Sequence, residues 1–247
     1  MTGAARSWRL AWLMLALVSL ANYGNFYVYD SIGPVADLLQ RLRGFSDSQI
    51  GMLNAIYSLP NIVLLLVGGM LVDRYGAARM MFWTALVCLA GTALTAFSPV
   101  FNGMAAGRLL FGIGAETFNI ATMTAVVKYF SGRNLAFAVG ASIAVGRAGS
   151  FSADMSPTWF AGAYAGGWQP PMIIATVLAA ISLAGAAAYW WLDHQRGHAD
   201  PNATPAARRI SLRGVLSFGP AYWYLLVLCV LWYSVIFAFR STFSIKY

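Results

Sequence analysis

Seven stretches of the chain are apolar and long enough to cross a membrane as helices. A membrane-spanning helix needs about 20 predominantly apolar residues. The predicted spans cover, in order, residues 9–32, 49–72, 80–97, 101–130, 134–157, 170–192 and 220–239. They are unbroken apolar runs and lack the alternation, over about 10 residues, that marks a membrane β-strand. The pattern therefore predicts an all-α, polytopic membrane protein.

The composition supports this assignment and excludes other classes of protein. Of the 247 residues, 60% are hydrophobic and only 10% are charged, whereas about 25% of a soluble globular domain is charged. So few charges cannot cover a soluble fold, and so apolar a chain does not stay disordered. Two cysteines and two histidines suggest no metal site, and no phosphate-binding loop or catalytic constellation is visible. We expect no enzyme activity and no cofactor.

The basic residues predict the orientation of the spans. With the N-terminus in the cytoplasm, ten of the sixteen basic residues fall in inner segments, four fall in outer segments, and Arg108 and Arg147 fall within spans. Cytoplasmic loops carry an excess of Lys and Arg, so we predict a cytoplasmic N-terminus. Basic loops beside anionic lipid also explain the net charge of +8, so that no nucleic-acid partner is needed.

The spans divide into two predicted units joined by a polar segment. Residues 1–193 predict a six-helix transmembrane bundle. Residues 194–213 contain two prolines and a cluster of arginines, and they predict a flexible cytoplasmic linker. Residues 214–247 predict the first span of a second, incomplete bundle.

A motif between the second and third spans indicates a family. Residues 69–79 read GMLVDRYGAAR, which resembles the signature loop of the major facilitator superfamily, G-x-L-x-D-R-x-G followed by basic residues. In that family the loop steadies one side of an alternating-access transporter. The resemblance therefore implies gating roles for the matching residues, which are Gly69, Asp73, Arg74, Gly76 and Arg79.

The physical properties of these residues suit a gate. Gly69 would let helices approach closely, Gly76 would permit a tight turn, and Asp73 could face a helix N-terminus when the inner gate closes. Two alanines follow Gly76 where the family usually has a basic residue, and Arg79 is the substitute. The alternative is an ordinary positive-inside loop, which requires basic charge but neither Asp73 nor the glycines.

Span four carries a second motif of the same family. Residues 107–116 read GRLLFGIGAE, similar to the pattern R-x-x-x-G-x-G, which implies a helix-packing or gating role for Arg108. A narrower resemblance, to the lysosomal dipeptide transporter branch and its bacterial relatives, covers nearly the whole chain. It is carried by residues 22–23, 27–30, 57–61, 111–116, 137–140 and 146–150. It implies dipeptides or similar zwitterions as substrates.

Two opposite charges lie where lipid would otherwise be expected. Glu116 and Arg147 are the midpoints of the fourth and fifth spans, so antiparallel neighbours would place both near the same depth. A charge at that depth costs about 2.5–3.5 kcal/mol, so both should face the bundle interior or a wet cavity. We predict that Arg147 binds a substrate carboxylate and that Glu116 binds an ammonium or carries a proton. The alternative is a permanent Glu116–Arg147 pair that joins two helices.

Five further residues are candidates for the same cavity. Asp30, late in span one, is an ammonium or proton site, or alternatively a hydrated residue at a helix end. Tyr27, Tyr29, Tyr57 and Asn61 could supply hydrogen bonds and aromatic walls. For each tyrosine the alternative is packing or interface anchoring, and Asn61 could instead satisfy backbone groups freed by the preceding proline.

The expected function is secondary transport of small charged organic solutes, such as dipeptides, across a bilayer by alternating access, with protons as a possible coupling ion. The alternatives are an organic anion or drug transporter of the same superfamily, or a non-transporting partner or receptor. The resemblance implies two six-helix halves around one cavity. The missing half, or a second copy, would complete that cavity. We favour the interpretation that the chain is a fragment of a protein about twice this length. We expect the protein in a bacterial inner membrane.

Overall fold

The computed structural model of the chain describes residues 2–130, 132–195 and 219–242. Side chains are described over these residues except at 2–7, 61, 62, 66, 133, 233 and 236–242. The regular elements of these ranges are helices, which confirms the predicted all-α class. They are α1 (Thr2–Asp30), α2 (Ile32–Arg43), α3 (Asp47–Ala55), a 3-10 turn (Ile56–Ser58), α4 (Asn61–Tyr75), α5 (Ala77–Phe97), α6 (Phe101–Tyr129), α7 (Gly132–Trp159), α8 (Ala161–Ala165), α9 (Gln169–Gln195) and α10 (Pro220–Thr242).

Within the described residues, five segments are long and apolar enough to cross a membrane. They are Trp8–Arg43, Ala77–Phe97, Phe101–Tyr129, Asn134–Trp159 and Gln169–Gln195. These segments coincide with the predicted first, third, fourth, fifth and sixth spans, so the protein is a multi-pass membrane protein. The first is longer than predicted, because α2 continues α1 after a break at Ser31.

The predicted second span is present but broken. Its two parts, Asp47–Leu65 and Val67–Tyr75, are bent by 61°. Within the first part, α3 passes into the 3-10 turn, and Pro60 then precedes α4. Proline has no backbone N–H and collides with the carbonyl one turn earlier, so regular α-helical hydrogen bonding stops there. The 3-10 turn and Pro60 thus interrupt the helix within the first part, separately from the bend between the two parts.

Helix α1 occupies a central place in the first unit of the chain, which covers Met1–Ala203. It packs along α7 and α9, while α5 packs along α6 and α9. Helix α7 makes only slight contact with α6, although the two are consecutive spans. Since the lipid tails are as apolar as the helices, close packing in a membrane relies on small residues. At Gly149 of α7 a Cβ would collide with the backbone carbonyl of Tyr23 of α1.

An ion pair joins the ends of α6 and α9 on one side of the bundle. The Nζ of Lys128 lies 2.8 Å from Oδ1 of Asp193, and both side chains are largely buried, at 9% and 13% exposed. The hydroxyl of Tyr129 donates a hydrogen bond to the same oxygen at 2.6 Å. The pair fixes the end of α9 immediately before the predicted linker.

The second unit covers Thr204–Tyr247 and contains α10. Residues Pro220–Trp232 of this helix are apolar. The predicted linker begins inside α9, which ends at Gln195, and lies outside the described residues from residue 196 onward. The division into bundle, linker and second bundle stays a prediction, as does the seventh span.

Candidate functional site

The candidate site is built around the end of α1. The helix stops at Asp30, and Ser31 turns the chain into α2: its backbone N–H and its hydroxyl both donate to the Val28 carbonyl, at 3.2 and 2.8 Å. The last carbonyls of a helix have no partner within it. The end of α1 therefore needs hydrogen-bond donors from outside the helix.

Arg108 of α6 supplies those donors. Its Nη1 and Nη2 donate to the carbonyls of Val28 and Tyr29 at 3.0 and 2.9 Å. Its Nε donates to the carbonyl of Leu53, at the broken second span, at 3.2 Å. The side chain is only 2% exposed, and burying such a charge is tolerable only with partners of this kind. These contacts are those of a helix-packing residue, and a gating role for Arg108 stays a prediction.

Arg108 also contacts two aromatic rings. Its guanidinium carbon lies 4.8 Å from the centroid of Tyr57 and 5.5 Å from that of Phe111. The arginine thus holds Tyr57, which follows α3, against the end of α1. Cation–π contacts of this kind are worth more when the cation is desolvated.

Tyr29 and Tyr57 form one wall of the site. Their ring centroids lie 4.4 Å apart at an interplanar angle of 61°, an edge-on contact, and the two side chains interact electrostatically. Tyr29 also interacts electrostatically with Asp30 and Glu116, both of which are half-buried. The structure therefore brings together four of the predicted site residues.

Arg147 reaches the same wall through an aromatic residue that the sequence analysis missed. Its side chain is exposed, and its guanidinium carbon lies 5.2 Å from the ring centroid of Phe26. Phe26 in turn lies 6.3 Å from the ring of Tyr29. The spacing of Phe26 and Tyr29, one helical turn apart on α1, was the available signal, since residues three apart share a helix face.

Glu116 and Arg147 are thus connected along one aromatic face of α1. Arg147 contacts Phe26, Phe26 contacts Tyr29, and Tyr29 interacts with Glu116. Helix α7 packs along α1 and makes only slight contact with α6. A direct pair between Glu116 and Arg147 stays a prediction.

Tyr27 lies on a different face of α1 from this wall. It is 3% exposed, and its side chain interacts with Ser156 of α7. Ser156 in turn hydrogen bonds to the hydroxyl of Tyr164 of α8 at 2.5 Å. These contacts are those of the packing alternative. The side chain of Asn61 lies outside the described side chains.

The predicted gate loop joins α4 to α5. Gly76 has φ +85°, a conformation that favours glycine, which confirms the expected turn. The expected close helix approach at Gly69 is wrong within the described residues, because a Cβ there would meet no atom within 4 Å. Its neighbour Gly68 makes the close approach, because a Cβ there would lie 2.8 Å from Oγ1 of Thr117. Successive residues point about 100° apart on a helix, so only one of the two glycines faces α6.

The charged side chains of the loop are accessible. Asp73, Arg74 and Arg79 are exposed, and the guanidinium of Arg74 lies 5.4 Å from the ring of Tyr75. Exposure leaves these charges available to a partner surface. Their gating roles stay predictions.

The sequence is similar to a known family and to several known proteins. The profile of a family described as Major Facilitator Superfamily matches residues 13–246. The human "Lysosomal dipeptide transporter MFSD1" is 28% identical over 245 residues, which cover 92% of this chain and 52% of the relative. The chain therefore spans about half the length of the lysosomal relatives that it matches.

Two other relatives are named for anions. The "Probable sulfoacetate transporter SauU" of Cupriavidus necator is 26% identical over 172 residues, which cover 69% of this chain and 39% of the relative. The "Probable anion transporter 3, chloroplastic" of Arabidopsis thaliana is 30% identical over 135 residues, 53% of this chain and 25% of the relative. The names of these relatives therefore give different solutes, which are dipeptides, sulfoacetate and anions in general.

Proposed function

The chain belongs to the major facilitator superfamily, a family of membrane transporters, and from this premise we propose that it carries half of the binding cavity for dipeptides or similar small zwitterions. The observation that carries the proposal is the row Arg147–Phe26–Tyr29–Glu116 along α1. It presents a cation and a carboxylate on the two ends of one aromatic face. The proposed activity moves the solute without converting it.

Arg147 is the proposed anchor for the carboxylate of the solute. Its side chain is exposed in the described first unit, and a guanidinium offers two parallel N–H donors to a carboxylate. A hydrogen bond to a charged group contributes about 1.5–3 kcal/mol. Loss of this anchor should therefore weaken binding by about 10- to 100-fold.

Glu116 is the proposed partner of the ammonium group. It lies near the Tyr29 hydroxyl, and the same hydroxyl interacts with Asp30. Two carboxylates beside a tyrosine pair suit an ammonium, which offers three donors and no acceptor. Either carboxylate is also the proposed carrier of a proton if transport is coupled to one.

The proposed cycle rocks the described bundle against a second bundle, supplied by further chain or by another copy, around this midplane site. Asp73, Arg74 and Arg79 would contact that second bundle when the cytoplasmic side closes. We propose a cytoplasmic N-terminus and a bacterial inner membrane. The support for this orientation is the excess of basic residues in the inner segments.

Uptake by the full-length protein in proteoliposomes tests the proposal. The substrates are a dipeptide, its C-terminal amide, which lacks the carboxylate, and its N-acetyl form, which lacks the ammonium. Arg147→Ala should lower dipeptide uptake by about 10- to 100-fold and leave uptake of the amide unchanged. Glu116→Gln should lower uptake of the dipeptide and spare that of the N-acetyl form. Arg41→Ala, at an exposed position of α2, is the matched control.

Unchanged discrimination among the three compounds in both variants would contradict the proposed roles. The insertion and monodispersity of each variant are checked first, because a charge change within a span can impair insertion.

Transport of organic anions is a second candidate, favoured by the two relatives named for anions. In that case Arg147 would be the main anchor, and a singly charged acid would be taken up better than a dipeptide. Binding of either solute without uptake would indicate a receptor that retains the fold.

A further inference from the structure

The ring of Phe26 occupies a gap that α7 leaves open at Gly146. A Cβ on Gly146 would lie 2.9 Å from Cδ2 and 3.1 Å from Cε2 of Phe26. The first distance is shorter than real Cβ contacts and the second is tight, so a Cβ at residue 146 would displace the ring from this position. The packing of α7 against α1 therefore fixes the ring on one side.

A second contact restrains the ring from the α1 side. Phe26 and Tyr29 lie at a tilt of 43° with centroids 6.3 Å apart, and Tyr29 is itself held edge-on by Tyr57. The backbone of α7 can approach this part of α1 because Gly149 faces the Tyr23 carbonyl. The orientation of the ring is thus set by helix packing and not by Arg147.

Arg147 lies over this ring. Its guanidinium carbon is 5.2 Å from the ring centroid, within the range of a cation–π contact. A cation held over a ring keeps its N–H groups available to a carboxylate. Restraining a long, flexible side chain before binding also reduces the entropy that binding must overcome.

We propose that Phe26 is a positioning residue that holds Arg147 ready for a carboxylate and so sets the preference for solutes with a free carboxylate. The inference rests on the proposed function of Arg147 as the carboxylate anchor. It adds Phe26 and Gly146 as residues that determine specificity without touching the carboxylate themselves.

We call the Phe26 ring beneath Arg147 the platform. Two substitutions remove it while leaving every charge in place. Phe26→Leu keeps an apolar side chain but has no π face, and Gly146→Ala displaces the ring. In full-length protein each should raise the KM for the dipeptide by about 2- to 30-fold, with little change in maximal rate. The KM for the C-terminal amide should not change. Phe26→Tyr should restore the dipeptide value, because tyrosine retains the ring.

Gly140→Ala is the matched control for Gly146→Ala. It lies on the same helix, and a Cβ there would meet no atom within 4 Å. Its KM values should equal those of the wild type. An equal rise for dipeptide and amide in the platform variants would overturn the proposal, since it would indicate a general packing defect.

Chemical labelling separates failure of this proposal from failure of the proposed function. If the wild type takes up no dipeptide, the proposed function fails, and the platform is tested by the rate at which phenylglyoxal modifies Arg147, followed by mass spectrometry. Phe26→Leu and Gly146→Ala should accelerate modification at least 2-fold, whereas Phe26→Tyr and Gly140→Ala should not. Equal rates in all variants would overturn the platform.

Discussion

Replacing Arg108 by methionine tests whether one buried side chain holds the site together. Methionine fills similar space but donates no hydrogen bond. The Val28 carbonyl would keep its two bonds from Ser31. The carbonyls of Tyr29 and Leu53 would lose the bonds that Arg108 donates.

The size of the effect follows from these contacts. Hydrogen bonds within membrane proteins contribute about 0.6 kcal/mol on average and at most about 1.7, so the loss of the bonds to the two carbonyls without another donor costs about 1–3 kcal/mol. Loss of the cation–π contacts with Tyr57 and Phe111 adds about 1 kcal/mol or more. We expect the free energy of unfolding to fall by about 2–4 kcal/mol in total.

Unfolding of the full-length protein in mixed detergent micelles measures this change. Arg41→Met, an exposed position, should stay within about 0.5 kcal/mol of the wild type. Arg108→Lys should be intermediate, because an ammonium lacks the planar fork that reaches three carbonyls. If Arg108→Met is as stable as the wild type or more so, the cost of burying the guanidinium exceeds the value of its contacts. The role assigned to Arg108 would then be wrong.

Two further predictions concern stability and use the same assay. Asp193→Asn should lower the free energy of unfolding by about 3 kcal/mol, because it leaves Lys128 buried without its carboxylate. The double variant Lys128→Met with Asp193→Leu should lose less, and additive losses would contradict a coupled pair. Gly76→Ala should cost about 1–3 kcal/mol, because φ is +85° there. Gly69→Ala, whose Cβ would meet no atom within 4 Å, should cost nothing, and equal losses at both glycines would refute the conformational argument.

The charged residues of the site could be predicted from the sequence, because the free-energy cost of a charge within an apolar span depends little on the rest of the fold. Any carboxylate or guanidinium at the middle of an apolar span needs a polar environment, whatever the rest of the fold. Glu116 and Arg147 stand out for that reason. Arg108 stands out in the same way, but its partners are backbone carbonyls of α1 and α3, which carry no side-chain signature.

The contact of Phe26 with Arg147 could not be predicted from the sequence. A phenylalanine in an apolar helix is ordinarily a packing residue, and its spacing from Tyr29 indicates only that the two rings share a face of α1. Its role becomes visible only when Gly146 of α7 is seen to leave room for its ring. The glycines of the gate loop illustrate the same limit, since the sequence favoured Gly69 for a contact that Gly68 makes.

The amino-acid sequence alone predicted the helical class, the positions of five spans and the turn at Gly76. Apolar length, the cost of burying a charge and the tolerance of glycine for positive φ are all properties of short segments. The break in the second span, the packing of α7 on α1 and the aromatic row between Arg147 and Glu116 required the three-dimensional arrangement. In a lipid bilayer, which helices pack together depends on close contacts between small residues of one helix and the backbone of another, far apart in the chain. The sequence of either helix alone does not indicate such a contact, for example the one between Gly149 and the carbonyl of Tyr23.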